Sequence, residues 1–298
     1  MQITHGSDVN GEIHDLNKKL HRFLNRSTQD VIATTLLLLV LPFGVLLHLF
    51  YVLPTWYSVM SGEWINRAIM IGFFSFNLYS NWYMMIRVGP NGMNAILPNI
   101  VTAGFRYCHD CRANAAPRSH HCPVCDTCVL RRDHHCSFGG VCIGHFNQRY
   151  FVAAVINLFC MLLPLVSYGW DLLNEILPGG VTWHKYWQIM IPHVAFIARF
   201  MSFYQFCHVL IFVFTFTSFA FALYLLVAQF FCIYKGQTRI EFLMDVHAYQ
   251  LGLMENIRQT LGTRWFLIGV SSFIPSPLPS NGLHFVTREI HAAHTKDL

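Results

Sequence analysis

The sequence predicts an all-α polytopic membrane protein, with four transmembrane helices and a cytosolic cysteine-rich domain between spans 2 and 3. Three observations predict it. Hydrophobic residues make up 54% of the 298-residue chain and charged ones only 12%, at a mean hydropathy of +0.41, an apolar share well above that of soluble domains. Four apolar stretches approach the roughly 20 residues that a bilayer core requires of a helix. Seven of the ten cysteines crowd between Cys108 and Cys142.

Residues 1–30 are polar (Asp8, Glu12, Lys18, Lys19) and lack an apolar run behind a basic start, which predicts a cytosolic tail and no cleaved signal peptide. Spans 1 and 2 take up 31–86. The first, 31–53, tolerates Pro42 as a kink. The second, 67–86, is interrupted by Asn77, Ser80 and Asn81, whose polar groups are expected to face other helices because lipid offers no hydrogen-bond partner. The cysteine-rich domain covers 87–149. Spans 3 and 4, 150–170 and 207–231 within 150–231, are rich in Phe and Leu. Residues 232–298 form a cytosolic C-terminal region, in which the Pro/Ser-rich 272–284 predicts an extended surface segment.

Orientation follows from Lys and Arg, which concentrate on the cytosolic side. The N-terminal tail holds four, 87–149 holds seven and the region after 231 holds six, leaving only Arg67, Lys185 and Arg199 for the other face. An even number of spans then puts both termini and the cysteine-rich segment in the cytosol. The net charge of +5 reflects this topology. No aromatic-interleaved basic stripe points to nucleic acid.

The cysteines follow the pattern Cys108-x2-Cys111-x9-His121-Cys122-x2-Cys125-x2-Cys128-x6-His135-Cys136-x5-Cys142. A reducing cytosol disfavours disulfides, so metal ligation or catalysis is the expected use. Thiolate and imidazole ligands with C-x2-C spacing suit tetrahedral Zn2+. Two closed sites take six cysteines and two histidines, which leaves one thiol over. Spacing alone does not say which. Cys136 has the most telling neighbours: His134, an imidazole able to take a thiol proton, and Asp133, a carboxylate able to orient it. The competing reading makes Cys136 a redundant ligand or packed thiol.

The segment resembles the DHHC cysteine-rich domain of the protein S-acyltransferases, or palmitoyltransferases. The match runs without a gap from Cys108 to Phe151 and includes "PRSHHC" at 117–122, "DHHC" at 133–136, Cys142, "IG" at 143–144 and Asn147. "GPNG" at 89–92 resembles the family's Asp-Pro-Gly motif, "TRIEF" at 238–242 its Thr-Thr-x-Glu motif, and "NIRQTLG" at 256–262 its Asn-containing C-terminal helix. The resemblance implies one zinc on Cys108, Cys111, His121 and Cys128 and a second on Cys122, Cys125, His135 and Cys142. It makes Cys136 the nucleophile, His134 its base and Asp133 the group that fixes the imidazole. The implied reaction moves a long-chain acyl group from acyl-CoA, typically palmitoyl-CoA, through a Cys136 acyl-enzyme to cysteine thiols of cytosol-facing, membrane-associated proteins. Arg118 and His120 match positions near the CoA phosphates, and Met161 on span 3 is either a wall of the acyl cavity or an ordinary packing position. Golgi or endoplasmic reticulum membrane is the family's commonest address.

Three departures bear on activity. Cys136-Ser137-Phe138 stands where the family has Cys-Pro-Trp, so an indole N–H is lost. Val141 replaces the usual Asn. Arg239 replaces the second Thr of Thr-Thr-x-Glu, a residue that supports the catalytic Asp; a cation there could pair with Asp133 or draw it away from His134. The second reading is therefore a catalytically impaired, zinc-bearing membrane scaffold. A RING-like ligase would explain interleaved zincs but neither the His134/Cys136 pair nor four spans.

Overall fold

A computed structural model describes residues 27–92 and 104–291; the expected tail 1–30 lies almost wholly outside them. Ser27 caps the first helix, α1 (Thr28–Thr55), by accepting from the Asp30 amide at 3.2 Å. Two π-helical turns, Leu36–Val40 and His48–Val52, interrupt α1, each shortly before or across the carbonyl that a proline (Pro42, Pro54) leaves without an N–H partner. A widened turn relieves that clash. Ser61 caps α2 (Gly62–Val88), which ends at Gly89 with φ +68°. Asn77 and Asn81 are buried among the helices as expected, and their amides donate to carbonyls of α2 itself, Phe73 at 3.1 Å and Asn77 at 2.8 Å.

After three short hairpins come α3 (Gln148–Ile176), two short helices, α4 (Tyr186–Met190) and α5 (Pro192–Ile197), and then α6 (Phe203–Lys235). A Ser202/Gln205 capping box starts α6 and Gly236, with φ +66°, stops it. α3 is the central helix: Ala154, Met161, Leu162 and Leu165 pack with Leu37 and Leu41 of α1, Ile71 and Leu78 of α2 and Ala222 of α6. Helices α1, α3 and α6 are each long and apolar enough to cross a membrane. α2 has 27 residues, but its Asn, Ser and charged positions dilute its apolar character.

The expectation of an all-α chain needs correction in the cysteine-rich domain. Its described residues form three antiparallel hairpins: β1 (Arg106–Cys108) with β2 (Ala113–Ala115), β3 (His120–Cys122) with β4 (Thr127–Val129), and β5 (His134–Cys136) with β6 (Val141–Ile143). Helix is excluded because C-x2-C must fold into a tight turn to aim two sulfurs at one point. Side-chain amides fasten this domain to the bundle. Asn91 donates to the Cys128 carbonyl and accepts from the Leu130 amide, both at 2.9 Å. Asn147 accepts from the Gly144 amide and donates to the carbonyls of Met85 and Cys142.

Two further helices follow, α7 (Arg239–Leu243) and α8 (Leu253–Leu261). The segment 272–284 is irregular, as expected, but more than a surface coil: Ser272 and Ser276 are buried. The Ser276 hydroxyl joins the Leu261 carbonyl to the Arg264 amide, and His145 donates to the Ser280 carbonyl at 2.8 Å.

Candidate active site and metal centres

The ligand atoms of Cys108, Cys111, His121 and Cys128 lie within 4.8 Å of one another, and so do those of Cys122, Cys125, His135 and Cys142. Each set draws two sulfurs from the C-x2-C turn of one hairpin and a His/Cys pair from the next. Strand register makes those pairs, since His121 sits opposite Cys128 and His135 opposite Cys142. Three thiols and one imidazole at this spacing fit a tetrahedral zinc.

The hairpins repeat every 14 residues, a period overlooked in reading the sequence. Cys108, Cys122 and Cys136 occupy one position of the repeat; Cys111, Cys125 and Gly139 occupy the next. Cys136 is therefore the first cysteine of a third turn that has no second one. Gly139 packs close to α2, since a Cβ there would lie 2.6 Å from the terminal methyl of Met85 and would make that side chain shift. The same period aligns Ser119-His120 with Asp133-His134. Aligning the repeat would have singled out the thiol that spacing alone left ambiguous.

Cys136 is buried and belongs to neither metal-capable set. Its thiol lies beside His134 and acts on the imidazole, whose Nδ1 donates to Asp133 Oδ2 at 2.7 Å. The edge of Phe151 meets the imidazole at a centroid distance of 4.9 Å. Asp133 is fully buried and accepts two more bonds at 2.8 Å, from Gln229 Nε2 on α6 and from the backbone N–H of Arg239 at the start of α7. Burial pushes the Asp133 carboxyl upward, but the His134 contact and these two donors outweigh it and hold it below the ordinary value. Burial likewise pulls His134 down, while the bonds to Asp133 and Cys136 more than offset this and raise it to about 9. The arrangement can pass a thiol proton to an imidazole held in one tautomer.

Gln229 and Gln148 were not anticipated. Each reads as a polar interruption near the end of an apolar helix, and their partners are distant in sequence. Gln148 donates to the Gln229 carbonyl at 3.1 Å, which fixes the Gln229 amide with its NH2 toward Asp133.

The Arg239 side chain does neither thing expected of it. It lies beside Tyr224 and forms no ion pair with Asp133, which takes the backbone N–H of the same residue. At Phe138 itself, Trp82 Nε1 of α2 donates to the backbone carbonyl at 2.9 Å. Val141 packs with Cys136 and Phe138 in one apolar cluster.

Cys136 opens onto a cavity of about 270 Å3 with apolar walls, among them Leu37 and Leu41 of α1, Trp82 of α2, Phe151 and Leu158 of α3, and Phe214 and Phe221 of α6. Met161 is not in this wall. It is 1% exposed within the helix core, where the Ser75 hydroxyl meets its sulfur at 3.1 Å.

Arg118 also departs from expectation. Its Nε and Nη2 donate to the two oxygens of Glu241 at 2.6 Å each, with both side chains buried. Tyr249 and Phe285 cover the guanidinium at 4.2 and 5.0 Å. An arginine committed to a buried fork has no face left for a phosphate. Glu241 is shared: it also accepts from the Thr238 amide at 2.9 Å, and the Thr238 hydroxyl accepts from the Glu241 amide, a capping box that starts α7. His120 lines a groove with Arg106, Arg132 and Ile240, and its Nδ1 accepts from Arg106 Nη2 at 3.0 Å. Burial first, then the Arg106 charge, hold His120 below its usual value.

Helices able to span a bilayer, two interleaved Cys/His centres and a separate thiol with an Asp–His pair at an apolar cavity define a membrane protein of the thiol acyl-transfer class. The profile of the DHHC palmitoyltransferase family matches residues 101–246, and the chain belongs to that family. It is 31% identical to a probable palmitoyltransferase ZDHHC24 of Danio rerio over 245 residues, 77% of each chain. The human protein of that name is 32% identical over 75% of this chain and 80% of its own length. Palmitoyltransferase ERF2 of Kluyveromyces lactis is 44% identical over 91 residues, 30% of this chain and 23% of its own.

Proposed function

We propose that this chain is a protein S-palmitoyltransferase in which Cys136 carries the acyl group from palmitoyl-CoA to cysteines of membrane-associated proteins. One observation carries the reading: a buried thiol outside both metal-capable sets, beside the His134–Asp133 pair and facing an apolar cavity. The Cys136 thiol gives its proton to the ring nitrogen of His134 not engaged by Asp133, and Sγ attacks the thioester carbonyl carbon. The bond to the CoA sulfur breaks, and CoA leaves with that proton. A substrate thiol then passes its proton to His134 and attacks the acyl carbon; the bond to Cys136 Sγ breaks, and the leaving sulfur takes that proton back from His134. Both steps exchange one thioester for another, so alignment and proton transfer are what the protein supplies. Asp133, an anion throughout, stabilises the imidazolium.

The cavity holds the acyl chain, at about 0.8 kcal/mol per buried CH2. The polar end of CoA meets the rim where Arg106 and Arg132 carry the positive charge beside His120, in place of the occupied Arg118. Cys108, Cys111, His121 and Cys128 would hold one Zn2+, and Cys122, Cys125, His135 and Cys142 a second. Zinc there supplies cross-links that fold hairpins too short to persist alone. The Lys and Arg distribution supports α2 as a fourth span, with both termini and the 87–149 domain cytosolic. Golgi or endoplasmic reticulum membrane is the proposed address. Catalysis is preferred to a scaffold because the Arg239 side chain leaves Asp133 to His134.

Purified protein incubated with labelled palmitoyl-CoA should acquire hydroxylamine-sensitive label that Cys136→Ser abolishes with two zincs retained. Label surviving that substitution would remove Cys136 as the nucleophile, and no label on either protein would restore the scaffold reading.

A further inference from the structure

We propose that Asp30, in the first turn of α1, is an outer-sphere carboxylate of the second metal centre and suspends the first span from it. The proposal rests on the reading that the two Cys/His sets hold zinc. His135 turns Nδ1 to the thiols of Cys125, Cys142 and Cys122, at 3.3, 3.8 and 3.9 Å. Its other nitrogen, Nε2, faces both carboxylate oxygens of Asp30 at 3.3 Å. With Nδ1 on the metal, Nε2 must carry the proton, and a carboxylate is the acceptor that fixes the ring and strengthens its donation. Asp30 is 2% exposed, so this bond forms out of water.

Among the described residues, the other centre has no such partner. His121 Nε2 has Asp110 and Asp126 at 4.0 and 3.9 Å, beyond hydrogen-bond reach, with side chains 71% and 93% exposed. Two sets of the same composition thus differ in what stands behind the histidine. Asp30 also begins the helix that walls the cavity. One turn on, the Thr34 hydroxyl contacts the Ser137 and Phe138 carbonyls at 3.4 and 3.3 Å, and Leu36, Leu37 and Leu41 follow on the cavity wall. The second centre therefore positions a wall of the cavity as well as a hairpin.

The test uses full-length protein in detergent micelles, with zinc counted by elemental analysis and each cysteine followed by alkylation and mass spectrometry. Wild type should hold two zincs and protect both sets of thiols. Asp30→Ala should speed alkylation of Cys122, Cys125 and Cys142 by about 10- to 100-fold, the usual loss of affinity when such a partner is removed. Cys108, Cys111 and Cys128 should react as in wild type. Asp30→Asn keeps the volume and an acceptor oxygen and should fall between the two. Unchanged protection of the second set in Asp30→Ala would overturn the proposal. If that variant unfolds, both sets will react together and Asp30→Asn decides: wild-type protection of its second set overturns the proposal equally. Fewer than two zincs in wild type would instead overturn the metal reading, and the role of Asp30 with it.

Discussion

Replacing Gln229 by leucine removes one of the three donors on Asp133 and changes little else in volume. The lost contact is a 2.8 Å hydrogen bond to a fully buried carboxylate, the kind that contributes about 1.5–3 kcal/mol. It matters most when His134 is an imidazolium, since an Asp133 short of one donor stabilises that cation in a less well-defined position. At about 1.4 kcal/mol per tenfold in rate, the acylation step should slow by roughly 10- to 100-fold. The assay is single-turnover transfer of label from palmitoyl-CoA to Cys136. The maximal rate should fall while the concentration of acyl-CoA giving half that rate changes less than about twofold. Gln229→Glu preserves the shape but sets a second carboxylate against Asp133, so it should lose at least as much. If both variants acylate within about threefold of wild type, or if the loss lies wholly in half-saturation, Gln229 is packing and the reasoning fails.

Arg118→Met should lower the melting temperature sharply, because it strands the Glu241 carboxylate in a site 3% exposed, a loss of about 3–5 kcal/mol; adding Glu241→Gln should recover much of it, and no recovery would show that the charge was not the cause. Burial, aided by the Arg131 charge, lowers His145 from 6.5 to about 4, so the fold prefers its neutral form. The associated stability is complete above pH 6.5 and declines as pH falls toward 4, by about 2 kcal/mol at pH 5. Hydrogen exchange around Ser280, corrected for intrinsic rate, should quicken between pH 7.5 and 5, and a flat profile would contradict this. Phe214 lies on the cavity wall 11 residues of α6 before Leu225, about 16 Å further from the cysteine-rich domain. Phe214→Ala should therefore shift preference toward longer acyl-CoAs in a competition assay, and an unchanged ranking would place the cavity floor elsewhere.

Much of this was legible in the sequence, for physical reasons that also mark its limits. The spans show through because twenty apolar residues have few other uses, and the metal sets show because C-x2-C turns are local. α1, α3 and α6 accordingly contain the apolar stretches, extended by a few residues where caps such as Ser27 and Ser202 stop them. Contacts between distant residues were not legible. Gln229 meets Asp133 across 96 positions and Asp30 meets His135 across 105; in sequence each is only a polar residue beside an apolar run. Arg118 looked available for phosphate because a basic residue beside a motif does not disclose Glu241, 123 positions on. Arg239 looked like a defect because a motif describes side chains, whereas Asp133 takes the backbone N–H at that position, a donor almost any residue provides.

The offset between the hairpins has one more consequence. Each turn is completed by side chains from its successor, so a linear series of them always leaves its final turn open, however many units it contains. Among the described residues the open end is residue 136, packed against the bundle at Gly139 with no fourth unit to close it. Its place at the end of the series is what sets this cysteine apart from the six that the metal-capable sets claim.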